Sequence, residues 1–244
     1  MKLGKTLLLS GNDIPFPQAR VTLHTPTIKE IAYIGEDNFL IGCNFLNFNR
    51  ELLSDEDKIN LENKSDFDIF MSVMNSRDKA KHKTDALMVL ALLFPQYKIK
   101  IEQDKILLQL ENFSSSINEQ NYDEFKEIIC QLFCLEGGEG AGDYNPADAL
   151  AARIAEKIKK GKQKKKKAKL DEETDIAIYS TYISILSVGL RKDMNELFGY
   201  SVYQLREEFK RFQLKEEFDL YVRAKLAGAQ DLEEVDNWME NIHP

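Results

Sequence analysis

Cysteine is scarce in this 244-residue chain. The three present, Cys43, Cys130 and Cys134, are too few and too odd in number for a disulfide framework, which points to a reducing cytoplasm. Long apolar runs are missing too. Leu7-Leu8-Leu9 is far shorter than the apolar region of a signal peptide, and no stretch approaches the roughly 18 apolar residues that a membrane span needs. Histidine occurs three times, scattered at His24, His82 and His243, so no second pair of ligands stands near the cysteines to complete a zinc site. Excess positive charge is lacking as well. The formal net charge of -8 repels nucleic acid on average and confines any such binding to a local basic patch.

What is present suits a folded protein. Hydrophobic residues make up 43% and charged residues 30%, a balance that permits a buried core and argues against wholesale disorder. Val21 and Leu23 alternate enough for one N-terminal strand. Thr27-Ile-Lys-Glu30 has the spacing of a capping box, so a short helix is expected from there to Gly35. Buried helix is expected over 39–48, a capped helix from Ser54, and a longer helix from about 78 to Phe94, stopped by Pro95. Tyr97 to Ile101 and Ile106 to Leu110, separated by four polar residues, read as a β-hairpin. Phe125, Ile128, Ile129, Leu132 and Phe133 recur at helical spacing. Further on, 176–190 is apolar, 202–227 is an amphipathic helix, and 231–242 is a last short helix carrying Trp238. The fold class expected is therefore mainly α with a small β component. An N-terminal α+β domain spans 1–160, a lysine-rich linker 161–173, and a helical C-terminal domain 174–244.

Candidate chemistry is sparse. The glycine-rich stretch 136–142 follows a helical pattern rather than a strand, lacks the Gly-Lys-Ser/Thr ending of a phosphate-binding loop, and carries two glutamates that repel phosphate. It reads as a linker. Cys130 and Cys134 lie one helical turn apart and read as small core residues. The acidic clusters have no neighbouring histidine or metal-ligand spacing, so no enzyme, metal or cofactor is expected. The lysine run is denser. Lys164, Lys165, Lys166 and Lys167 could contact phosphates non-specifically. No aromatic residue interleaves to stack on bases, and the plainer reading is a solvated helix end that self-repels into a linker.

What remains is apolar surface on helices. In the 202–227 helix, Leu205, Phe209 and Phe212 recur at three- and four-residue steps, with Phe218 and Tyr221 widening the face. A region of about seventy residues has little core of its own, so its spare aromatics suit a partner. Ile183 to Gly189, Tyr203-Gln-Leu205, Tyr221 to Gly228 and Asn237-Trp-Met239, with Tyr144 to Leu150 upstream, together resemble small proteins of the tail gene modules of long-tailed bacteriophages. The resemblance covers roughly 144–244. It implies a tail-assembly chaperone or a neighbouring tail-module protein; such proteins coat the hydrophobic helical tape-measure protein before the tail tube grows around it. Partner-binding residues would then be Leu205, Phe209, Phe212, Phe218, Tyr221 and Trp238, with self-association expected and no membrane or nucleic-acid partner. A structural protein of the tail or head–tail connector, and a nucleic-acid-binding protein acting through the lysine run, are the alternatives.

Overall fold

Side chains at helix starts set much of the local structure. Thr27 accepts the Glu30 amide while the Glu30 carboxylate accepts the Thr27 amide (2.8 Å), closing the capping box and starting α2 (Ile28–Ile34). Ser65 and Asp68 make the same reciprocal pair of bonds ahead of α4 (Asp66–Asn75). Ser201 and Gln204 repeat it ahead of the 25-residue α9 (Val202–Leu226). In this computed structural model the residues described are 2–48, 64–75, 80–135 and 178–230, with Leu232, Val235 and 237–239.

Among them the order is α1 (Lys5–Ser10), β1 (Ile14–Phe16), a 3-10 turn, β2 (Val21–Leu23), α2, α3 (Glu36–Leu46), α4, and α5 (Ala80–Leu93). Then follow β3 (Lys98–Ile101), β4 (Ile106–Leu110), β5 (Phe113–Ile117), α6 (Tyr122–Phe133), α7 (Ile178–Leu190), α8 (Met194–Phe198) and α9. The protein is mainly α with two small antiparallel sheets. The expected N-terminal strand is one of a pair, β1 against β2, and the expected hairpin is β3 and β4, which β5 extends to a three-stranded sheet. In β4, Ile106 and Leu108 point inward, as the period of two requires. The helices expected near 28–35, 39–48, 78–94 and 202–227 and around Phe125 to Phe133 are all present within a few residues, and the apolar stretch 176–190 is helical over Ile178–Leu190. The helix expected from Ser54, the glycine-rich stretch 136–142, and the whole lysine run with the linker at 161–173 lie outside the described residues.

The closing helix at 231–242 is a correction. Leu232, Val235 and Asn237 are not helical, and Trp238 and Met239 form a turn. The Asn237 side-chain carbonyl accepts the Met239 amide at 3.1 Å, a local bond that competes with helix.

The core draws on elements from α1 to the first turns of α9. α3 lies along α5 so closely that a Cβ on Gly42 would sit 2.6 Å from the Asp85 carbonyl oxygen. Phe94, just past α5, and Phe16 both stack on Phe125, joining the end of α5, β1 and α6. Phe39 meets Phe133 edge-on and also meets Tyr179 of α7. Buried residues from Leu3 to Phe209 thus form one cluster, which includes side chains on both sides of residues 136–177. No described helix is long and apolar enough to cross a membrane.

Candidate protein interaction site

α7 is held at three points. At its start, the Glu36 carboxylate accepts the amides of Ile178 (2.6 Å) and Tyr179 (2.8 Å), so a side chain from α3 caps the helix from outside it. Burial raises the Glu36 pKa, against the lowering effect of those amide bonds. In its middle, Tyr182 stacks on Phe209 of α9, ring centroids 4.0 Å apart. At its end, the Phe212 ring covers Gly189 so closely that any Cβ there would overlap it. Beyond the helix, the Lys192 ammonium bonds the Glu208 carboxylate (2.8 Å) and the Tyr200 hydroxyl (2.7 Å), tying the turn after α7 to α9. Those bonds raise the Lys192 pKa despite the opposing effect of burial.

α9 is anchored from the other side. The Lys5 ammonium pairs with Glu207 at 2.9 Å, and the Gln204 amide donates to the Leu9 carbonyl at 2.8 Å. Arg206 donates to the Cys134 carbonyl at the end of α6. The Ile28 amide donates to the Tyr200 carbonyl, so the starts of α2 and α9 meet, with Thr27 and Ser201 bridged. Lys210 is buried, and desolvation lowers its pKa, helped by the neighbouring Lys5, Arg211 and Arg206 charges and opposed by Glu207.

This anchoring decides which expected partner-binding residues are available. Leu205 is fully buried and Phe209 nearly so, which corrects their placement on a partner face. The apolar stripe of the first three turns of α9 is consumed by α7, α1 and α6. Phe212 is half-buried against Gly189. Phe218 and Tyr221 are half-buried, with the Lys225 ammonium over the Tyr221 ring. Trp238 is half-buried, and its backbone carbonyl accepts a bond from the Arg211 guanidinium. The structure therefore does not bring the six together as one open face. Lys164, Lys165, Lys166 and Lys167 fall outside the described residues.

The open apolar face lies elsewhere. α7 contains no charged residue from Ile178 to Leu190. Its outward stripe, Ile178, Thr181, Ile185 and Val188 at three- and four-residue steps, faces solvent, with Val188 79% exposed. Solvent-facing helix surfaces ordinarily carry charge, so a helix uncharged all round and bare on one side is a candidate interaction surface. The sequence holds that signal: the charge-free stretch is visible in it, and its hydroxyl residues Ser180, Thr181 and Ser184 fall on the exposed side while Tyr179, Tyr182, Ile183 and Leu186 fall on the buried one. Among the described residues no cluster of three or more His, Cys, Asp or Glu side chains could hold a metal ion. The Cys43 thiol is buried, and burial pushes the Cys130 thiol up to about 11, so neither is a nucleophile at neutral pH.

Residues 164–243 match the family model of the YomV second domain. That domain family is phage-derived, so the match associates this chain with bacteriophage. α7, α8 and α9 all lie within the matched region. Comparisons with curated proteins and with solved structures gave no match.

Proposed function

We propose that this protein is a phage tail-assembly chaperone that holds apolar helical segments of the tape-measure protein on the outer face of α7, in the host cytoplasm and without bond-making chemistry of its own. One observation carries the reading. A charge-free helix is fixed at its start by Glu36, at its middle by Phe209 and at its end by Phe212, and it keeps a bare stripe of Ile178, Ile185 and Val188 toward solvent. A rigid, uncharged face offers an incoming apolar helix ridge-into-groove packing with no charge to desolvate. The phage-derived match over the same region supports a setting in which such helices are abundant.

The test is co-expression with a fragment of the tape-measure protein. The chaperone should raise the fragment's soluble fraction and co-purify with it, and Val188→Glu should abolish both without unfolding the chain. A wild-type protein that leaves the fragment's solubility unchanged, or a Val188→Glu variant that binds as well as wild type, refutes the reading. Mass spectrometry of purified particles should find the protein absent. Stoichiometric amounts in finished tails would make it a structural virion protein instead.

A further inference from the structure

α9 outruns its support. Its buried side chains end at Leu214, yet three more turns follow. Over those turns Glu217, Leu220, Arg223 and Ala227 lie on one side of the helix, at three- and four-residue steps. This side continues the stripe of Val202, Leu205 and Phe209 that the body of the protein buries, but here nothing in the described structure covers it. Leu220 is 69% exposed. Arg211, which bonds the Trp238 carbonyl, projects from the opposite side of the helix.

Two charges on this side are of opposite sign and, among the described residues, unpaired. Lys215 is engaged by Asp219 at 2.8 Å and by Glu216, and Lys225 lies over Tyr221. The side chains of Glu217 and Arg223 make no ion pair among the described residues. They stand three residues before and three residues after Leu220. We propose that this surface binds a second copy of the same chain, with the two helices antiparallel and a two-fold axis passing beside Leu220. In that arrangement Leu220 meets its own counterpart. Each Glu217 comes level with the Arg223 of the other copy, forming two reciprocal ion pairs. Small residues then face polar ones, Ala224 opposite Glu216 and Ala227 opposite Gln213, which lets the helices approach closely. A parallel pairing would set Glu217 against Glu217 and Arg223 against Arg223, so charge selects the antiparallel one. The surface is small and its ion pairs are exposed, so the association is weak and weakened further by salt.

Sedimentation of the full chain over a wide concentration range, at low and at high salt, tests this. Wild type should dimerise reversibly, more tightly at low salt. Glu217→Arg and Arg223→Glu should each raise the dimer Kd by about tenfold or more, because each replaces both attractions with repulsions. An equimolar mixture of these two variants should associate again. One copy then carries arginine at both positions and the other glutamate at both, so every facing pair is once more of opposite sign. All of these positions are exposed, so circular dichroism should show each variant folded. Val188→Glu should dimerise as wild type does, which keeps this surface distinct from the α7 face. A wild type that stays monomeric at the highest concentration overturns the proposal. So do single variants that dimerise like wild type, a mixture that fails to recover, or a dimer lost only in Val188→Glu.

Discussion

Removing the Glu36 carboxylate tests whether α7 is held in place by a cap borrowed from another helix. Glu36→Ala leaves the Ile178 and Tyr179 amides, now bonded at 2.6 and 2.8 Å, without a protein acceptor. Losing an N-cap typically costs ~1 kcal/mol within a range of about 0.5–2. Two donors are orphaned, but the site is only half-buried and water reaches it, so the expected loss is about 1–2 kcal/mol rather than the full cost of two buried amides. Glu36→Gln keeps a carbonyl acceptor, loses the favourable charge at a helix N-terminus, and escapes the cost of burying a carboxylate. Those effects oppose one another at roughly 0.3–1 kcal/mol each, so Glu36→Gln should fall within about 0.5 kcal/mol of wild type at pH 7. The pH dependence has a definite sign. Burial raises the Glu36 pKa above its ordinary value of 4.5, so the folded state holds the proton to higher pH than the unfolded chain does. The wild type therefore gains stability relative to Glu36→Gln as pH falls toward 4.5, and loses that gain as pH rises through the folded-state pKa. Urea unfolding of the three proteins at pH 7 and near pH 4.5 measures all of this. Equal losses in Glu36→Ala and Glu36→Gln, or no loss in Glu36→Ala, would refute the capping argument.

Gly42→Ala should destabilise by about 1–3 kcal/mol, although alanine is the better helix former by ~1 kcal/mol, because the new methyl would meet the Asp85 carbonyl at 2.6 Å and the Val89 side chain at 2.7 Å. A raised urea midpoint would show that the two helices separate freely. Gly189→Ala should push the Phe212 ring off the end of α7, lowering stability by about 1–2 kcal/mol and weakening capture of a tape-measure fragment, as read by denaturation and by co-purification. With a neutral thiol reagent at pH 7, Cys134, which is only partly buried, should react well before Cys43 and Cys130, whose thiols are buried and protonated. Peptide mapping after a timed reaction checks the order.

The sequence by itself determined the features whose causes are local. The Thr27 capping box, the hairpin with its four-residue loop, the helices stopped by Gly35 and Pro95, and the stripe on α6 are fixed by residues within one turn of each other, so their spacing suffices. Ser201-Val-Tyr-Gln204 carries the same local signature at the start of α9 and is equally legible. Only the tertiary structure decided which apolar surface is spent and which remains. Leu205 and Phe209 look like a partner's landing site on the helix alone, and they are buried because α7 packs over them. Ile178 and Val188 look like core in a charge-free, largely apolar stretch, and they stay outside because Glu36 and Phe212 fix how α7 is turned. Periodicity identifies an apolar face, but the neighbour that covers it comes from a distant part of the chain, and exposure is a property of that pairing rather than of the helix.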